Sequence, residues 1–117
     1  MGTRFDLQHL LESVLVDIFS QSMEEEVAHA EAHKRVYFQP PETVKMSYPC
    51  IVYTLDSINT RYANNLPYKH KKSYTVTIID RDPDSIIPDK IGELPASSFS
   101  RRFTNDNLNH FVYRLWF

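Results

Sequence analysis

The run Ser73-Tyr74-Thr75-Val76-Thr77-Ile78-Ile79-Asp80, followed at once by Arg81-Asp82-Pro83-Asp84-Ser85, constrains the fold more than any other stretch. Five of its eight residues are β-branched and one is aromatic, a composition suited to a pleated, partly buried surface. Alternation sends Tyr74, Val76 and Ile78 to one face and Thr75, Thr77 and Ile79 to the other. One wholly apolar face beside a half-polar one predicts an antiparallel strand with a single face on a core. Pro83 cannot donate to a ladder, and the flanking Asp and Ser favour turns and helix N-caps. The stretch therefore reads as a central strand that leads into a short helix.

What surrounds this strand is of one-domain size. The chain has 117 residues, 42% of them hydrophobic and 24% charged, which places it with globular rather than disordered sequences. A formal charge of −2 gives no global attraction to nucleic acid. Only Gly2 and Gly92 are glycines, too few for a glycine-rich phosphate cradle. Cys50 is the single cysteine, so neither an intramolecular disulfide nor a cysteine-based zinc cluster is available, and a buried role in a reducing compartment is expected. No apolar run approaches the length of a membrane helix, and the polar N-terminus does not read as a signal peptide.

Thr3 and Asp6 resemble a capping box, and Leu7, Leu10, Leu11, Val14, Leu15 and Ile18 then follow at helical spacing. A helix over about Asp6–Gln21 is expected to cover one face of the sheet. Met23–Arg35 is rich in Glu and Ala but lacks an apolar stripe, which predicts a second surface helix or an extension of the first. Val36-Tyr37-Phe38 reads as a short strand and Cys50–Leu55 as a strong one. Between Asp56 and Lys72 the pattern turns polar for too long to be a tight hairpin turn, which predicts a long protruding arm. Ile86, Ile87, Ile91 and Leu94 gather on a short helix over 85–94. Ser98–Thr104 alternates, Asn105-Asp106-Asn107 turns, and Phe111–Phe117 closes the chain as a strand apolar on both faces except at Arg114. Such a strand needs cover on both sides, or a partner chain.

Candidate chemistry is thin. His29 and His33 stand one helical turn apart, but the glutamate of an enzyme-type zinc helix does not follow the first histidine, so solvated helix residues are the better reading. Asp80, Asp82 and Asp84 alternate as in a calcium loop, yet the glycine and the terminal glutamate of that loop are missing, which favours turn and cap use. No nucleophile motif is present, and catalysis, metal and cofactor are not expected. The arm is more informative: Arg61, Tyr62, Tyr68, Lys69, His70, Lys71 and Lys72 make it basic and aromatic, and Arg101-Arg102 form a second basic patch. These residues, together with Trp116 and Phe117, are the expected partner or oligomer interface.

Val36-Tyr37-Phe38-Gln39-Pro40-Pro41, Val44-Lys45-Met46 and Tyr48-Pro49-Cys50-Ile51-Val52-Tyr53 also carry a family likeness. So do Lys72-Ser73-Tyr74-Thr75-Val76-Thr77, Asp80-Arg81-Asp82-Pro83-Asp84-Ser85 and Asp106-Asn107-Leu108-Asn109-His110-Phe111. In order and spacing, over about residues 36 to 117, they resemble the small tail completion or tail terminator proteins of tailed bacteriophages. The resemblance implies a structural virion protein. Its relatives form a ring, typically a hexamer, at the head-proximal end of the tail tube. They stop tube polymerisation and meet a head-closure or neck protein, and DNA passes through the ring without sequence-specific binding. Implied partners are therefore copies of itself, the tail tube protein and the neck protein, with no membrane. The implied location is the virion tail or neck, after assembly in the host cytoplasm.

The expected fold is α+β, one domain over residues 1–117. It is a mainly antiparallel four- to five-stranded sheet packed by the N-terminal amphipathic helix, with a short second helix and a long β-hairpin arm. Rival readings are a head-closure (stopper) protein of the neck, a small metal-dependent enzyme using Asp80, Asp82 and Asp84, and a small nucleic-acid-binding module.

Overall fold

Thr3 sits in extended backbone and starts the first helix, α1 (Arg4–Phe19). Its hydroxyl accepts from the Asp6 amide at 3.2 Å, and its own amide donates to Asp6 Oδ2 at 2.9 Å, so two otherwise orphan donors are satisfied. These hydrogen bonds from Thr3 hold the Asp6 carboxyl below its ordinary pKa. The structure is a computed structural model that describes residues 3–41, 44–63 and 66–117, with the side chains of residues 57–71 outside that description.

Helix α1 buries Leu7, Leu11, Val14 and Leu15 of the stripe read from the sequence, leaves Leu10 and Ile18 half-buried, and buries Phe19, which that stripe did not include. A second helix, α2 (Glu25–Lys34), is separate from it and buries only Ala28 and Ala32. Two methyl groups one turn apart suffice here, because small side chains let α2 lie close against its neighbours. His33 Nδ1 reaches Glu12 Oε1 of α1 at 3.1 Å, whereas His29 faces Glu25 at 3.8 Å, so the two histidines have different carboxylate neighbours.

Five strands follow: β1 (Val36–Phe38), β2 (Cys50–Ala63), β3 (Leu66–Asp80), β4 (Ser97–Asn105) and β5 (Leu108–Trp116). Their spatial order is β1-β2-β3-β5-β4, with β1 parallel to β2 and every other pair antiparallel. The sheet is thus mixed, and the domain is α+β with three helices. The stretch at Ser73–Asp80 is the inner part of β3, third of the five strands. Tyr74, Val76 and Ile78 are buried together with Ile51, Tyr53, Phe111, Tyr113 and Leu115 on the face that the helices cover.

Cys50 is fully buried, and that burial pushes its thiol pKa up to about 12. Burial likewise raises the Tyr53, Tyr74 and Tyr113 hydroxyls. Tyr53 Oη donates to Gln8 Oε1 at 2.5 Å and so ties the sheet to α1.

The third helix, α3 (Ile87–Gly92), is shorter than expected. Ile86 stands at the N-cap position, and the Ser85 hydroxyl accepts from the Ile87 amide at 3.3 Å. Pro88 occupies the first turn, where its missing donor costs little. Asp106 and Asn107 turn β4 into β5 with φ of 52° and 62°, left-handed values that Asn and Asp tolerate. Strand β5 accordingly begins at Leu108 rather than Phe111. No helix among the described residues is long and apolar enough to cross a membrane.

Candidate assembly surfaces

The long arm is the outer half of the β2–β3 hairpin. Strand β3 pairs with β5 only as far as Ser73↔Trp116, and β1 reaches β2 only as far as Tyr53. Beyond Ser73 the ladder between β2 and β3 continues alone, through Ile58↔Lys72, Asn59↔Lys71, Thr60↔His70 and Arg61↔Lys69 to Ala63↔Leu66. The segments Ile58–Ala63 and Leu66–Lys72 therefore form a two-stranded ribbon projecting roughly 20 Å from the sheet, at the rise of an extended strand. Register shifts at Leu55/Ser57 and Arg61/Tyr62 mark its root and its outer part. The side chains of Arg61, Tyr62, Tyr68, Lys69, His70 and Lys71 lie outside the described residues. Lys72 is half-buried at the root, where its carbonyl accepts from the Phe117 amide at 2.9 Å.

The C-terminal strand finds its neighbours within its own chain. β5 is interior, paired with β3 on one side and β4 on the other, so it offers no free edge. The Trp116 amide donates to the Ala96 carbonyl at 3.1 Å, and Phe117 packs against the core. Trp116 and Phe117 are both half-buried.

β4 is one of the sheet's two edge strands, outermost beside β5, with β1 at the other edge. Every residue from Ser98 to Asn105 is exposed, including Phe99 at 57% and Phe103 at 40%. Arg101 and Arg102 sit at its centre but point to opposite faces. The Arg101 guanidinium lies 5.3 Å from the Phe103 ring, and that ring stacks on His110 at 4.5 Å on the helix-free face. Arg102 lies 5.1 Å from the Phe111 ring and donates to Asn109 Oδ1 at 3.2 Å. A register shift between Phe99 and Arg101, with two arginines beside it, is a device that discourages indiscriminate edge pairing. Arm and arginine pair are not brought together, because β5 and the body of β3 lie between them.

At the far end of β3 lies a feature that sequence reading missed. A groove of about 300 Å³ is lined by Ile18 and Phe19 of α1, Pro49, Asp80, Asp82, Asp84 and Ser85–Ile87. The aspartates make successive Asx turns: Asp80 Oδ1 accepts from the Asp82 amide at 3.1 Å, and Asp82 Oδ1 from the Asp84 amide at 2.9 Å. Asn109 pins this turn from β5, its side-chain amide donating to the Asp80 and Arg81 carbonyls at 3.2 and 3.3 Å. No three His, Cys, Asp or Glu side chains among the described residues converge as a metal-binding group. Alternating aspartates announced the turn, but nothing local announced the apolar floor supplied by α1.

The chain matches no family model, no curated protein and no solved structure.

Proposed function

We propose that this chain is a structural assembly protein of a tailed-phage virion. It forms a ring, of six copies by the resemblance noted above, at the head-proximal end of the tail tube. There it terminates tail polymerisation and joins the tail to the head or neck. One observation carries the assembly part of this reading: among the described residues, the ribbon beyond Ser73 has no third strand beside it. An isolated two-stranded ribbon is marginal in water, so a projecting one gains most by lying against another molecule. The exposed β4 strand, with Phe99, Phe103 and the arginine pair, supplies a second surface for the tail tube or neck partner.

The metal-enzyme reading is less well supported, because two of its three carboxylates are turned into backbone hydrogen bonds of the Asp80–Asp84 turn. The assembly reading is tested in the particle. Removing Tyr62–Lys69 is expected to yield tails of uncontrolled length or tails unattached to heads. Normal, joined tails from that variant would refute the role given to the arm.

A further inference from the structure

β3 connects two poles of opposite charge. Its outer end and its β2 partner contribute Arg61, Lys69, Lys71 and Lys72, with His70, and no Asp or Glu occurs between Ser57 and Ile79. Its inner end delivers Asp80, Asp82 and Asp84 to the groove, with Arg81 the one cation in that turn. The Arg81 guanidinium lies 6.0 Å from the Tyr48 ring, and none of the ion pairs among the described residues uses these three aspartates. A 15-residue strand places the poles far apart on a molecule whose long dimension is 52 Å. The arm of one chain is therefore remote from its own groove, and complementary charge favours the groove of another copy.

We infer that the groove between α1 and the Asp80–Ile87 segment receives the basic arm of a second copy, in a head-to-tail contact. The groove suits such an arm in both of its chemistries. Ile18, Phe19, Pro49, Ile86 and Ile87 offer an apolar floor with room for one aromatic side chain, and Ile86 is 47% exposed. The arm's sequence carries tyrosines to match that floor and lysines to match the aspartate rim. Donor and acceptor surfaces differ, so the contact is heterologous, and repetition closes a ring when the rotation allows. The inference rests on the self-assembly reading above and adds to it the surface on which one copy holds the next.

The test uses the full chain with two charge-reversed variants, Lys69→Glu/Lys71→Glu and Asp82→Lys/Asp84→Lys, followed by native mass spectrometry and sedimentation. Each variant alone is expected to stay monomeric under conditions in which the wild type assembles. Mixed in equal amounts they are expected to assemble, because each arm then meets a groove of opposite sign. Asp82 also anchors its turn, so a milder variant, Asp82→Asn/Asp84→Asn, keeps the acceptors and removes the charge. It is expected to weaken association roughly tenfold and to lessen its salt sensitivity. Wild-type-like assembly of either reversed variant alone, or of the Asn variant, overturns this contact and leaves self-assembly standing. A mixture that fails to assemble although both variants melt like the wild type overturns it too. A wild type that is monomeric at every concentration also overturns the contact, while tail-joining by the arm-deleted chain still decides the function separately.

Discussion

Asn109 and Asp80 face each other across the β3–β5 ladder, and the Asn109 side-chain amide donates back to the Asp80 carbonyl at 3.2 Å. Asn109 is 7% exposed, and its Oδ1 also accepts from Arg102 and from the Thr104 hydroxyl at 3.3 Å. One buried amide thus joins the β4 edge, β5 and the turn that rims the groove. Buried polar groups are tolerated only when so paired.

Asn109→Ala removes these bonds and strands two carbonyls. The expected cost is about 1–3 kcal/mol of unfolding free energy. Urea titration measures it, and a change below ~0.5 kcal/mol would show that water replaces the amide without loss.

Ile78 is fully buried beneath the helices near the C-terminal end of β3. Truncation to Ala leaves a cavity between sheet and helices that a close-packed core fills poorly, and is expected to cost about 2–5 kcal/mol. Thr77→Ala, on the half-exposed opposite face, should cost far less. Equal losses at the two positions would contradict the one-sided core.

The arm should be separable from folding. Beyond Ser73 its strands pair only with each other, so deleting Tyr62–Lys69 should change the unfolding free energy by less than about 1 kcal/mol. A large fall in Tm for the isolated chain would mean that the ribbon packs on its own domain.

Burial raises the Cys50 thiol from its ordinary value of 9.0 to about 12. Between those values the folded chain keeps a proton that the unfolded chain has lost, so stability falls as pH rises through that window. Below pH 9 this contribution is fully present. Denaturant melts across the alkaline range should show the decline, and Cys50→Ala should flatten part of it. The buried tyrosines supply a further share, since they shift in the same direction. At neutral pH Cys50 should resist thiol reagents until the chain unfolds.

Local patterning carried much of this architecture. The leucine stripe of α1, the alternation of β3 and the Asn-Asp turn before β5 are statements about neighbours a few residues apart, and each stands in the structure close to where the pattern placed it. The arm was legible for the same reason: a polar stretch too long for a turn must protrude from a compact sheet.

What the sequence alone determined was which segments become helix or strand and which of their faces seek burial, since periodicity records burial directly. It left open who buries whom. The parallel placement of β1, the interior position of β5 and the meeting of α1 with Asp80–Asp84 in one groove were decided only by tertiary packing. An apolar face is satisfied equally by its own chain or by another, and only the assembled sheet shows that β5 is paired on both edges within its own chain.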